Sequence, residues 1–160
     1  MFSLYFYYKS SGMYFLLLIF CILVDFYLAR WIYHSNKQSL RRFLLMLSLC
    51  SNLGMLLYFK YTNFFLETYQ SLAGGEFHRL DIFLPIGISF FTFQSLSYTI
   101  DVYRRQLQPT GSLLDYAFFV SFFPLLVAGP IVRASYFLPQ LQEPPLVTRD
   151  MFGRGVFLIL

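Results

Sequence analysis

The sequence predicts an all-α protein, a polytopic transmembrane helical bundle. It has about four spans plus the start of a fifth, with a broken or re-entrant helix near Pro124–Pro130. Three observations carry this. Of 160 residues, 58% are apolar and 22% aromatic, and only 12% are charged. An ordinary soluble domain carries about 25% charged residues, enough for the polar shell that this chain lacks. Apolar runs long enough to cross a bilayer recur along it, since a transmembrane helix takes about 20 such residues. The charges fall between those runs, where orientation signals belong.

The first predicted span covers residues 13–33, interrupted by Asp25 and Arg30, with Trp31 and Tyr33 suited to an interfacial aromatic belt. The run after Lys9 is too long for a typical signal-peptide core, and no small-residue cleavage site follows it, so it reads as a retained span. The second covers residues 43–61, where Lys60 can snorkel to the headgroups. Its Ser48, Ser51, Asn52 and Gly54 are small or polar and favour close helix packing. The third covers residues 82–100 and the fourth residues 113–132, the latter broken by Pro124 and by Gly129–Pro130. A fifth begins at Gly155. Residues 1–160 read as part of a single membrane domain, incomplete at both ends.

The first loop holds Lys37, Arg41 and Arg42, with Arg30 just before it, and the third holds Arg104 and Arg105. The positive-inside rule places both loops in the cytoplasm. The second loop, with Arg79 against Glu67, Glu76 and Asp81, then lies outside. The net charge of +4 is spread along the chain, with no basic face on a soluble fold, so no nucleic-acid partner is expected. The partner that composition implies is the lipid bilayer.

Few residues look chemical. Cys21 and Cys50 lie in apolar runs and read as buried small hydrophobes, and no spacing suggests a metal site. His34 and His78 fall in loops without an evident partner, so they read as surface residues. At about 100° per residue, Gly87, Gln94, Tyr98, Asp101 and Arg105 share one side of the third span. Such a stripe in lipid faces protein or a wet cavity. It is either the wall of a substrate path or helix-to-helix hydrogen bonding, with Asp101 and Arg105 paired four apart. Asp25 is expected to pair with a basic residue on a neighbouring helix, or else to bind a proton. Pro124, Gly129 and Pro130 break the fourth span, and irregular backbone at membrane depth survives only in protein or beside a cavity. Arg133 follows and can meet an anionic group; the plain alternative is an interfacial arginine after a kink.

Two long motifs add a family resemblance. The stretch from Leu84-Pro85-Ile86-Gly87-Ile88-Ser89-Phe90-Phe91 through Gln94 to Tyr98, Asp101 and Arg104 is one. The run Val120-Ser121-Phe122-Phe123-Pro124 through Ala128-Gly129-Pro130 to Arg133 is the other, with Leu138-Pro139-Gln140-Leu141 as its sequel. Together they resemble the membrane-bound O-acyltransferase (MBOAT) family, of the alginate O-acetyltransferase and D-alanyl-transfer protein type, over most of the chain and in the N-terminal region of such proteins.

The resemblance implies a helical bundle pierced by a tunnel, in a bacterial inner membrane. It implies transfer of an acyl group, most simply acetyl, from a cytoplasmic donor to hydroxyls of an extracytoplasmic polysaccharide. The donor would be acetyl-CoA or an acyl carrier protein, and an extracytoplasmic acyltransferase would assist. The family's catalytic histidine is expected beyond Leu160, so no catalytic residue is assigned in this chain. On this reading Gln94, Tyr98, Asp101, Arg105, Pro124, Gly129, Pro130 and Arg133 line the tunnel or substrate path. The rival from another class is a subunit or fragment of a transporter or channel, which also uses broken helices and intramembrane polar groups.

Overall fold

Residues 2–73, 80–128, 132–142 and 148–159 are described by a computed structural model. All regular structure among them is helical. Helix α1 (Phe2–Ser11) passes through a tight turn at Gly12–Tyr14 into α2 (Phe15–His34). Gly12 has φ +56°, which lets the chain bend there without strain. After a three-residue link, α3 (Gln38–Leu56) runs through one wide π turn (Leu57–Tyr61) into α4 (Thr62–Ala73). Two continuous stretches are long and apolar enough to cross a membrane, Tyr5–His34 and Gln38–Leu72. Their outward faces carry Phe20, Leu23, Tyr27 and Trp31 on α2, and Phe43, Met46 and Leu47 on α3. Lipid accepts such faces; water would not. Cys21 is buried as expected, whereas Cys50 is exposed on this outer side of α3.

The third and fourth predicted spans are not continuous helices. Residues 82–87 are irregular, and α5 (Ile88–Tyr103) starts only after Gly87, at φ +73°. Its 16 residues reach about 24 Å, short of the roughly 30 Å hydrocarbon core. Stacking of Phe83 on Tyr14, 5.0 Å between centroids, holds the irregular lead-in against the start of α2. The fourth span divides at Phe122, which is extended (ψ 110°), into α6 (Leu113–Ser121) and α7 (Phe123–Ala128). Ser112 starts α6 by accepting the Asp115 amide at 3.2 Å. The Phe122 carbonyl starts α7 by accepting the amides of Leu125 and Leu126. Pro124 sits in that first turn, where its missing N–H costs no helical bond. Gly129 and Pro130, the other expected break, lie outside the described residues.

Next, α8 (Ala134–Gln142) packs back on α6, and α9 (Arg149–Ile159) follows. The core lies where α2, α3, α5 and α6 meet, with α2 against both α3 and α5. Aromatic rings fill it: Tyr98 lies 4.5 Å from Tyr116, and Phe137 of α8 packs on Phe118, Phe119 and Phe122. Phe6 of α1 meets Phe123 edge-on at 4.4 Å, tying α1 to α7.

Candidate functional site

Helix α5 is polar on two sides, and each side meets a different neighbour. On the side facing α6, Gln94 is buried and donates its amide to the Phe119 carbonyl at 2.9 Å. One turn on, the Tyr98 hydroxyl is buried and accepts the Thr110 amide at 3.1 Å. These are two of the expected path residues. Gly87 opens the same face: a Cβ there would lie 2.8 Å from the Leu126 carbonyl oxygen. The residue is glycine because α7 approaches the start of α5 backbone to backbone.

The stripe does not continue as a helix to Arg105. Helix α5 ends at Tyr103, and Arg105 has φ +62°. Asp101, half-buried, keeps its carbonyl on the amides of Gln106 and Leu107. The four-apart helical pairing of Asp101 with Arg105 therefore has no helix to support it. The Arg105 guanidinium instead lies 4.5 Å above the Tyr33 ring, at the end of α2. Arg41 likewise stacks on Tyr103 and donates to its carbonyl, joining the start of α3 to the end of α5.

Pro124 and Arg133 are exposed, and the Arg133 carbonyl accepts the amides of Tyr136 and Phe137 to begin α8. His34 turns its Nδ1 to the Arg30 carbonyl at 2.8 Å, a local surface contact. His78 lies outside the described residues.

A groove lies at each end of α5. The groove at the Tyr103 end, about 250 Å³, is lined by Leu107–Gly111 with Leu138 and Pro139 of α8. The groove at the Gly87 end, about 230 Å³, is lined by Lys60, residues 84–88, Ser89 and Phe90. There the Lys60 ammonium donates to the Ser89 hydroxyl at 3.3 Å. So α7 reaches the Gly87 end of α5, while α8 returns the chain to the Tyr103 end.

The second polar side of α5 carries Thr92, Ser95 and Thr99, all buried, and faces α2 and α3. There Asp25 is wholly buried. The Ser48 hydroxyl donates to its Oδ1 at 2.6 Å, and the Asn52 amide donates to both carboxylate oxygens at 3.0 and 2.8 Å. Ser95 supplies another hydroxyl. Tyr116 donates to Ser95 at 3.3 Å, and Cys21 donates to the Asn52 carbonyl oxygen at 3.6 Å. The expected basic partner is absent: among the described residues the carboxylate is held by neutral donors alone. Arg30, five residues on, is exposed and lies over the Phe26 ring. Sequence reasoning noticed Asp25, Ser48 and Asn52 separately. It missed Ser95 and Tyr116. The signal was the four-apart pair Ser48 and Asn52 opposite the set Thr92, Ser95 and Thr99, which gives two polar helix faces inside apolar spans.

No family model matches the chain. No solved structure matches it either. Curated proteins do. It is 35% identical over 165 residues to a peptidoglycan O-acetyltransferase of Helicobacter pylori, across 88% of this chain and 31% of that protein. It is 41% identical over 115 residues to a probable alginate O-acetylase of Pseudomonas aeruginosa, across 69% and 22%. It is 42% identical over 124 residues to one from Azotobacter vinelandii, across 75% and 24%. The chain thus spans about a third or less of the curated relatives it matches. These relatives are homologues of the chain over much of its length, and their names bear out its resemblance to the membrane-bound O-acyltransferase family.

Proposed function

We propose that the whole protein is an O-acyltransferase that moves an acetyl group from a cytoplasmic donor to hydroxyls of an extracytoplasmic polysaccharide. The observation that carries this is the identity of 35–42% to proteins named as O-acetylating enzymes of peptidoglycan and alginate. Those names favour this reading over a transporter or channel. The donor is acetyl-CoA or an acyl carrier protein, and an extracytoplasmic acyltransferase is the expected partner. The chain lies multi-pass in a bacterial inner membrane, as one part of a single membrane domain.

In this reading α6, α7 and α8 form a re-entrant hairpin. It enters from the cytoplasmic end near Ser112, turns at the level of Gly87, and returns toward Leu138. The grooves at the two ends of α5 are the remnants of a path along its Gln94–Tyr98 face, with Asp101 and Arg105 toward the donor side. Pro124 and Arg133 lie on either side of the turn. Gln94 and Tyr98 close the path between the grooves in this chain, so passage requires α6 to yield at the Phe119 carbonyl. The catalytic base comes from elsewhere in the whole protein and takes the proton of the acceptor hydroxyl.

The test uses the full-length protein with Gln94→Ala, Asp101→Ala or Arg133→Ala. Acyl transfer should fall while membrane abundance holds. Normal transfer by all three variants would remove the path assignment, and the relatives' chemistry would then rest on other segments.

A further inference from the structure

Among the described residues, no cation answers the Asp25 carboxyl group. It sits mid-way along α2 and is wholly buried. The groups facing it can be named element by element. From α3 come only Ser48 and Asn52, both neutral. From α5 comes Ser95, with Tyr98 further along. From α6 comes Tyr116, donating to Ser95. Within α2 the titratable neighbours are Cys21, one turn before, and Arg30, exposed and turned onto Phe26. Tyr7 of α1 lies beyond Cys21.

A metal ion does not suit this site. Metal ligands must turn lone pairs inward. Here Ser48 and Asn52 turn hydrogens inward, and both carboxylate oxygens are already taken. Neither groove beside α5 is lined by Asp25, Ser48, Asn52 or Ser95. A proton is the one cation that needs no cavity.

We propose that Asp25 is a reversible proton-binding site and that Asn52 reorients between its two states. In the ionised state Asn52 donates its amide to both carboxylate oxygens, as observed. A proton bound on Oδ2 turns that oxygen into a donor, and two donors then face each other. Turning the Asn52 amide end for end presents its carbonyl oxygen to the new O–H. That oxygen is the one now accepting from the Cys21 thiol, so the thiol loses its acceptor in the same step, and the Ser48 carbonyl loses the Asn52 amide it now accepts at 3.0 Å. The row Tyr116, Ser95, Asp25 has each hydroxyl donating toward the carboxylate, which is the order a proton arriving from α6 needs. The Tyr116 ring packs on Tyr98, whose hydroxyl meets Thr110 beside the groove at the Tyr103 end. The proposal does not depend on the acyl-transfer reading.

Infrared difference spectroscopy of the full-length protein in neutral-lipid nanodiscs tests it. Lowering the pH within the folded range should bring up the C=O stretch of a protonated carboxyl, and raising it again should remove the band. Asp25→Asn should lack the band, and Ser48→Ala should keep it at a shifted frequency, because its short hydrogen bond is gone. The Cys21 S–H stretch should move in step, a signal that a purely structural carboxylate would not give. Superimposable spectra from wild type and Asp25→Asn across the range would overturn the proposal. If Asp25→Asn fails to reach the membrane, isotope-labelled aspartate in wild type and Ser48→Ala decides. A titrating aspartate band that Ser48→Ala shifts supports the site, and no such band overturns it.

Discussion

Two glycines, one in a turn ahead of α5 and one inside α3, carry opposite constraints. Gly87 has φ +73° and would place a Cβ 2.8 Å from a backbone oxygen that cannot swing aside. Gly54 lies in α3 with nothing within 4 Å of such a Cβ. Gly87→Ala should destabilise the bundle by about 1–3 kcal/mol, from left-handed strain and overpacking together. Gly54→Ala should be neutral or stabilising by up to about 1 kcal/mol, since alanine is the better helix former. Thermal unfolding of the purified full-length protein, with membrane abundance alongside, separates the two. Gly87 was legible in the sequence as part of a motif, but its reason was not. The clash partner, Leu126, lies 39 positions away on a segment expected to be one broken span. Asp25 was legible as a deep carboxylate. Its neutral cage was not, because the residues that form it lie on three other helices, and the four-apart pair Ser48 and Asn52 does not say which helix it faces.

At the scale of elements, the sequence foresaw the helical stretches best where no proline intervenes. The stretches Tyr5–His34 and Gln38–Leu72 contain the first two predicted spans. The third and fourth came out shorter than predicted because hydropathy cannot register backbone geometry. Residues 82–87 are apolar enough to join a span, yet Pro85 and the left-handed Gly87 keep them out of helix. Similarly, Phe122 breaks the fourth span two residues ahead of Pro124, as an extended link that lets the Phe122 carbonyl start a new helix. What begins α6 is more local. Ser112 accepts the Asp115 amide, and a serine followed three residues later by an acid is a helix-start pattern readable from sequence. Ser112→Ala should therefore cost about 1 kcal/mol, and Ser112→Asp should recover most of it. Chemical denaturation of the full-length variants reads the difference; equal stability of all three would mean α6 is held by its packing on Tyr98 and Phe137 alone.

For the molecule as a whole, the charge pattern gave orientation and the fold agrees with its grouping. Arg41 at the start of α3 stacks on Tyr103 at the end of α5, and Arg105 stacks on Tyr33 at the end of α2. The first and third loops thus meet at one end of the bundle, the grouping that the positive-inside rule expects of them. Lys60 sits with Ser89 near the opposite end of α5. In a cysteine-replaced background, Lys37→Cys and Gln106→Cys should react with a membrane-impermeant maleimide only from the cytoplasmic side. Glu67→Cys should react only from outside. The reverse pattern would invert the topology, and with it the donor and acceptor sides proposed above.

The cage around Asp25 also bears on how the chain is made. A lone helix carrying an aspartate at its centre enters a bilayer at a cost of about 2.5–3.5 kcal/mol. The groups that relieve this cost are Ser48 and Asn52, 23 and 27 residues later, on the very next helix. The loop between the helices is three residues long, so α3 follows α2 into the membrane at once. Insertion of these segments is therefore a two-helix event. The translocating machinery hands the lipid a hairpin whose buried carboxylate is already hydrogen-bonded, and α2 has reason to wait in the channel until α3 has been synthesised.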